Sequence, residues 1–160
     1  MSEKNKQAAL EIVVDDGSQR VPIRNVAGDE IGVFYFHPTD VGIIQRFNET
    51  MSKFDDIVAP LEQVDINSDG TADTNNDAAI EALGEAEKRL FEACDYIFGG
   101  NMSTAFFGKM HPFSPIGGVF YCESVLDKVG NFIAAQFEQE TVKINNRLKK
   151  YVGKYDKAKK

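Results

Sequence analysis

The sequence lacks tryptophan altogether, and its 160 residues include only two cysteines, two histidines and five prolines. Cys94 and Cys122 do not stand at the short spacings of metal sites, so we expect two reduced, mostly buried thiols. No apolar run approaches the roughly 18 residues that a membrane-spanning helix needs. No apolar segment follows the polar N-terminus, so no secretory signal is visible and we expect a protein of the cytoplasm.

The usual signatures of catalysis are also missing. His37 and His111 are each followed by proline, and neither has a cysteine or second histidine at metal-ligand spacing. There is no phosphate-binding loop, and Gly117-Gly118 lacks the preceding strand and the third glycine of a dinucleotide site. These absences favour a protein that is not an enzyme and has no cofactor, with turn-associated histidines.

Charge is distributed unevenly along the chain. The net charge of −7 combines +7 from Lys143 onward with −14 on the rest. An acidic body disfavours nucleic acid as the main ligand, because phosphate would be repelled by most of the surface. The basic end is typical of a solvated helix terminus, and it would also suit an acidic partner.

Three β-prone segments near the N-terminus predict a small antiparallel sheet. Residues 10–14 are apolar and β-branched, residues 20–26 alternate apolar and polar, and residues 31–36 are the most β-prone of all. Turn clusters separate these segments, so we expect an N-terminal β-hairpin or three-stranded sheet. Phe34 and Phe36 fall on one face of the last strand, and a helix is needed to cover one face of the sheet.

Apolar residues at steps of three and four predict three main α-helices after the sheet. The first is expected from near Thr39 to near Pro60, the second from near Asp77, and the third from near Phe120. Their apolar faces are, in turn, Val41, Ile44, Phe47, Met51, Phe54, Val58 and Leu61; Ile80, Leu83, Leu90, Cys94 and Ile97; and Cys122, Leu126, Val129, Ile133, Phe137, Ile144, Leu148 and Tyr151. The predicted fold class is α+β, with helices dominant.

Length and composition indicate one domain. We expect a flexible N-terminus over residues 1–9, a single α+β domain over residues 10–152 and a basic C-terminal tail over residues 153–160. A polar loop insert lies within the domain at about residues 65–77.

Oxygen-bearing side chains at alternate positions of this insert resemble the start of a calcium loop. They are Asp65, Asn67, Asp69, Thr71 and Asp73, with Gly70 at the sharp turn. Position twelve, where such loops carry a bidentate glutamate, is Asn76 here. The alternative is a solvated acidic loop built from turn residues. Calcium bound there would be structural.

A glycine-containing corner, Asp-Tyr-Ile-Phe-Gly-Gly-Asn-Met-Ser-Thr-Ala-Phe-Phe-Gly at residues 95–108, is the most distinctive stretch of the chain. Gly99 and Gly100 suit a helix C-terminus, where a left-handed backbone is common. Ser103 or Asn101 is expected to cap the short helix that follows. This pattern predicts a structural turn between two helices.

Large aromatic side chains surround this corner and need to be covered. We predict an apolar partner-binding surface made of Phe98, Phe106, Phe107 and Phe113. The alternative is that the same rings close the hydrophobic core over the helix ends.

The corner and the end of the final helix resemble the tail assembly chaperones of long-tailed bacteriophages and prophages. The matching positions are Ile97-Phe98-Gly99, Ser103, Phe107-Gly108, and a Lys/Tyr-rich helix end at Lys149-Lys150-Tyr151 through Lys154-Tyr155. A β-hairpin before the helices also fits the plan of that family. The acidic insert and the loop at residues 111–118 depart from its shorter members.

The resemblance implies a non-catalytic protein that binds the tape-measure protein and helps tail-tube subunits to assemble around it. It implies contact with tape-measure and tail-tube proteins in the host cytoplasm, and self-association stays open. Two alternatives remain at this point: a structural tail component retained in the virion, and a calcium-stabilised protein-binding module.

Overall fold

The structure is a computed structural model that describes residues 10–63 and 77–159. In chain order the elements are β1 (Gln19–Arg24), β2 (Glu30–Phe36), α1 (Gly42–Met51), α2 (Phe54–Val58), a 3₁₀ helix (Ala59–Gln63), α3 (Asp77–Phe98), α4 (Met102–Phe107), β3 (Pro115–Ile116), β4 (Val119–Phe120) and α5 (Tyr121–Lys159). Helices α3 and α5 are the long ones. The prediction of one continuous helix from near Thr39 to near Pro60 is wrong, because the backbone leaves the helical conformation at Lys53 and the stretch divides into α1, α2 and the 3₁₀ helix. The predicted α+β class with dominant helices is confirmed.

Strands β1 and β2 form an antiparallel hairpin whose register places Gln19 opposite Phe36. The rings of Phe34 and Phe36 are buried and stacked, with centroids 3.9 Å apart, whereas Tyr35 is 52% exposed on the other face. The prediction that both phenylalanines share one covered face is therefore confirmed. Gly28, with φ at 90°, provides the left-handed residue of the connecting turn.

The prediction that residues 10–14 form a further strand of this sheet is wrong. Residues 10–14 belong to no strand, and their apolar side chains are between 72% and 91% exposed. The carboxylates of Asp15 and Asp16 accept the backbone N–H groups two residues ahead, at 3.0 Å each, which makes local turns instead of a ladder. Pro22 also leaves β1 without an N–H donor in mid-strand, which weakens it as a template for a further strand.

A second, smaller ladder joins β3 to β4 within the loop that follows α4. Gly117 and Gly118 form its turn with φ values of 62° and 85°. The backbone N–H of Cys122 donates to the carbonyl of Pro112 at 2.8 Å, so this loop leads directly into α5. The sequence pattern predicts only a loop at these residues, and the ladder is seen only in the structure.

The hydrophobic core lies between the hairpin, α3, α4 and the first half of α5. Its most buried large side chains include Phe34, Leu90, Ile97, Phe98, Met102, Phe107, Phe113, Val125 and Val129. Within α3 the buried stripe begins with the small residues Ala79, Ala82 and Ala86, and Ile80, which was predicted to face the core, is 53% exposed. Small side chains allow α3 to pack closely against the 3₁₀ helix.

Candidate functional site

The glycine corner joins α3 to α4 through two residues with positive φ. Gly99 and Gly100 have φ values of 70° and 61°, a region that side chains with a Cβ rarely adopt. The N–H of Gly99 donates to the carbonyl of Asp95 at 2.9 Å and closes the last turn of α3. A Cβ on Gly100 would collide with the backbone carbonyl of Tyr35 in β2. Gly100 therefore allows the corner to approach the hairpin closely.

Asp95 fastens the start of α4 to the last turn of α3. Its Oδ1 accepts the backbone N–H of Ser103 at 2.8 Å, and its Oδ2 accepts the Ser103 hydroxyl at 2.7 Å. The prediction that Ser103 or Asn101 caps this helix is wrong, since Asn101 stands at the N-cap without making a cap hydrogen bond. The tight turn carries a carboxylate from the preceding helix over the N-terminus of α4, where negative charge is favourable.

Asn101 instead covers the free edge of β2. Its Oδ1 accepts the backbone N–H of Tyr35 at 2.9 Å, and its Nδ2 donates to the carbonyl of Val33 at 2.7 Å. The side-chain amide thus takes the place of a neighbouring strand. Gly32 completes the contact, because a Cβ there would collide with the backbone carbonyl of Ala105 in α4.

The four rings predicted to bind a partner do not form a surface. Phe98, Phe107 and Phe113 are at most 5% exposed. Phe106 is half-buried, and its ring packs edge-on against Phe34 with centroids 5.4 Å apart. The structure corrects the prediction of an exposed patch at these positions, because the corner and the loop after it turn these rings inward, where they close the core. The exposed apolar side chains lie elsewhere.

Arg46 holds α1 beside the corner. Its Nε donates to the carbonyl of Ile97 at 2.9 Å, and its guanidinium also forms an ion pair with Asp40 at 3.0 Å. Asp40 further accepts the backbone N–H of Gly42 at 2.9 Å, at the first turn of α1. The Arg46 hydrogen bond, followed by that from Gly42, keeps the pKa of the Asp40 carboxyl below its ordinary value. These bonds fix α1 against the end of α3.

An open apolar groove of about 540 Å³ runs between α1 and α5. It is lined by Ile43, Ile44, Phe47, Met51, Phe54, Phe98, Glu123, Leu126, Asp127, Gly130 and Ile133. Ile44 is 51% exposed, Phe47 37% and Met51 38%, whereas Ile43 is buried. Of the apolar face predicted for the first helix, Ile44, Phe47 and Met51 border this groove, and Phe54, Val58 and Leu61 pack against the core.

Helix α5 leaves the body of the protein after Phe137. Every residue from 138 to 150 is exposed, and the helix continues to Lys159. We call residues 138–159 the arm. Ile144 and Leu148, which were predicted on the packed face of this helix, are 46% and 50% exposed. The members of that predicted face from Cys122 to Phe137 pack in or against the core, and the exposed ones follow because no other described element extends alongside the arm. The side chain of Tyr151, the last member of the predicted face, lies outside the described ones.

The groove wall and the arm belong to one stripe on α5. At about 100° per residue, one narrow sector of the helix surface contains six residues of both regions. They are Leu126, Gly130, Ile133, Phe137, Ile144 and Leu148. The apolar wall of the groove therefore continues along the arm as an exposed seam.

The two ends of this stripe differ in charge. Glu123 and Asp127 line the groove and place negative charge at its wall. The exposed first part of the arm carries Lys143, Arg147, Lys149 and Lys150, and Glu138 and Glu140 lie only at its base. An acidic apolar groove and a basic apolar arm thus occur on the same helix.

Both histidines make local structural contacts. Nε2 of His37 lies 2.8 Å from Oδ2 of Asp16 on the surface, and the hydrogen bond lowers the pKa of the Asp16 carboxyl. Nε2 of His111 lies 3.2 Å from the carbonyl of Leu83, and its Nδ1 accepts the backbone N–H of Phe113 at 3.1 Å. These contacts agree with the predicted turn-associated histidines.

The two cysteines are free and buried, as the sequence indicated. Burial raises the pKa of Cys94 to about 12 and that of Cys122 to about 11. Thiols of this kind are poor nucleophiles at neutral pH.

The calcium candidates Asp65, Asn67, Asp69, Thr71 and Asp73 lie outside the described residues, so calcium binding stays a prediction. Across residues 10–63 and 77–159, no cluster of three or more histidine, cysteine, aspartate or glutamate side chains is placed to hold a metal ion.

No protein-family model, curated protein or solved structure matches this chain. In the part of the chain that the structure describes, no helix combines the length and apolar character needed to cross a membrane. The groove, the arm and the corner are therefore the features of the molecule that bear on its function.

Proposed function

We propose that this protein is a non-catalytic assembly chaperone for the tails of long-tailed bacteriophages or prophages. Its client is the helical tape-measure protein, which it keeps soluble in the host cytoplasm until tail-tube subunits assemble around that protein. The observation that supports a client-binding role is the open apolar groove between α1 and α5.

The groove has the form expected of a receptor for one face of an amphipathic helix. Ile44 and Phe47 stand on one wall, and Leu126 and Ile133 stand on the other. Side chains at helical spacing on both walls can hold anchors at positions i, i+3, i+4 and i+7 of a bound helix. Contiguous exposed apolar surface on a soluble domain commonly marks a binding site.

Charge indicates which helices would bind best. Glu123 and Asp127 at the groove wall favour a client helix with lysine or arginine beside its apolar face. The net charge of −14 before Lys143 adds a long-range attraction for basic segments and keeps the protein soluble.

The corner supports the proposal in a different way. It contains the residues that resemble the chaperone family, and its bonds from Asp95 and Asn101 connect α3, α4 and the hairpin. Arg46 then ties α1 to the end of α3. The corner thus sets the position of α1, which forms one wall of the groove.

Co-expression with the tape-measure protein of the same genome tests the proposal. We expect a larger soluble fraction of tape-measure protein and co-purification of the two. Phe47→Glu places a charge in the groove and should abolish both effects, whereas Val142→Glu, at an exposed site away from the groove, should preserve them.

Unchanged tape-measure solubility together with no co-purification would refute the chaperone function. Mass spectrometry of purified particles separates the chaperone from a structural tail component. A chaperone is absent from finished virions, and a stoichiometric amount of this protein in them would favour the structural alternative.

A further inference from the structure

Among the residues that the structure describes, two apolar surfaces of complementary charge are left uncovered: the groove and the seam along the arm. We propose that the groove is filled by the arm of a second copy of this chain. Two copies then pair antiparallel through α5, and each arm lies in the groove of the other copy. This inference concerns the protein without a client and does not depend on the proposed function.

The continuity of the stripe on α5 supports an α-helical occupant. Phe137, Ile144 and Leu148 follow one another at the spacing of seven and four residues that helices use when they pack along a shared seam. The same stripe forms the groove wall at Leu126 and Ile133. An antiparallel copy of α5 therefore presents, to each groove, side chains with the periodicity of the groove wall itself.

Gly130 provides space for such an occupant. It lies on the stripe at the groove, and a Cβ added there would meet no heavy atom within 4 Å. Placing Leu148 of one copy over Gly130 of the other puts a twofold axis near Gln139, with each site about 13 Å from the axis along the helix. The large side chain then faces the position at which the groove wall has none.

Charge decides in favour of the antiparallel orientation. A parallel pair would bring the two basic arms together and would be opposed by their repulsion. The antiparallel pair brings the basic residues near Lys149 and Lys150 towards Glu123 and Asp127 at the partner groove. Such complementarity selects the orientation of a pair as well as strengthening it.

The reciprocal arrangement also forms a closed assembly. Each copy contributes one arm and one groove, so a twofold axis uses both surfaces and leaves neither free for a third copy. Exposed side chains on both parts, among them Ile44, Phe47, Ile144 and Leu148, become covered together. A client helix and a second copy would compete for the same groove.

The first experiment measures the mass of the purified protein by light scattering during size-exclusion chromatography. We expect about twice the chain mass of 17.8 kDa at concentrations on the order of 100 μM. The double variant Ile144→Glu with Leu148→Glu should elute as a monomer, with a dissociation constant raised by about thirtyfold or more. Both side chains lie outside the core, so circular dichroism of the variant should match that of the parent protein.

Val142→Glu is the matched control. Val142 is 53% exposed, much as Ile144 and Leu148 are, but it lies about 160° around the helix from Ile144. This variant should remain a dimer. Phe47→Glu alters the groove without touching the arm, and it should dissociate the dimer as the arm variant does.

Zero-length carbodiimide crosslinking tests the orientation. In a continuous helix Lys149 and Asp127 are about 33 Å apart, so no amide can join them within one chain. We expect crosslinked peptides that join Lys149 or Lys150 to Glu123 or Asp127, formed between isotopically light and heavy copies in a mixed sample.

A monomer at 100 μM would overturn the proposal, and so would a dimer that survives both Phe47→Glu and the arm variant. A dimer with crosslinks only between the two arms would show parallel pairing and would also overturn it. Addition of salt should weaken the dimer, because attraction between the basic arm and the acidic groove is screened.

Discussion

Replacing Asn101 with alanine removes the amide that stands in for a strand at the edge of β2. The substitution deletes the acceptor for the N–H of Tyr35 and the donor to the carbonyl of Val33. Both backbone groups stay where the corner places them, since Gly100 and Gly32 still allow the close approach. The perturbation is therefore local, and it acts on two defined hydrogen bonds.

The expected loss of stability follows from how exposed each of the two hydrogen bonds is to water. The bond to Val33 is partly buried, so its loss leaves a carbonyl with limited access to water and costs about 1–1.5 kcal/mol. The bond to Tyr35 is exposed, and water can replace it at a cost of about 0.5 kcal/mol. We expect the free energy of unfolding to fall by about 2 kcal/mol, which lowers Tm by roughly 4–8 °C in a chain of this length.

Urea unfolding followed by circular dichroism measures this change by linear extrapolation. Thr104→Ala is the control, because Thr104 is an exposed residue of the same short helix whose side chain makes none of the hydrogen bonds of the corner described above. It should leave stability unchanged or slightly higher. An Asn101→Ala variant within about 0.5 kcal/mol of the parent protein would refute the view that this amide replaces a strand.

Other predictions concern charge, backbone and thiols. The hydrogen bond from Arg46 lowers the pKa of the Asp40 carboxyl in the folded state. The stability that this pair contributes is therefore complete above the ordinary aspartate pKa of about 4 and is lost as pH falls below it. Asp40→Asn should therefore flatten the stability profile below pH 4, by at most about 1 kcal/mol for this partly exposed pair. Gly84→Ala should stabilise α3 by about 0.5–1 kcal/mol in chemical denaturation, since a Cβ there meets nothing within 4 Å. Cys94 and Cys122 should react with a thiol reagent at pH 8 only as fast as the protein unfolds, and rapid labelling of the native protein would contradict their burial. If the polar insert binds calcium, millimolar calcium should raise Tm relative to chelator, and equal Tm values would remove that prediction.

Several features of the fold could be predicted from the sequence because local chemistry determines them. Gly99 and Gly100 mark the corner, since the left-handed backbone there favours residues without a Cβ. Alternation along β2 placed Phe34 and Phe36 on one face, because successive strand side chains point in opposite directions. The two long helices that begin at Asp77 and Tyr121 could be predicted from periodicity that extends over many residues, whereas the helix predicted before them is divided into shorter elements.

The hydrogen bonds of the corner could not be predicted in the same way. Asp95 and Ser103 are eight residues apart, and Asn101 and Val33 are 68 apart. The residue types at these positions allow many partners. Only the fold brings the actual partners within bonding distance. For this reason Asp95, and not Ser103 or Asn101, accepts the N–H at the start of α4.

The same distinction applies to the candidate binding surface. Periodicity shows that one face of a helix is apolar, and it says nothing about the element that covers that face. Ile44 and Ile144 have the sequence pattern of core residues, yet both are about half exposed, whereas Phe98 and Phe107 of the corner are buried. The sequence by itself determined the class of fold, the corner and the charge of the final helix, because these depend on neighbouring residues. The tertiary structure alone decided that the groove stays open and that the arm extends beyond the body, because burial depends on how distant elements pack.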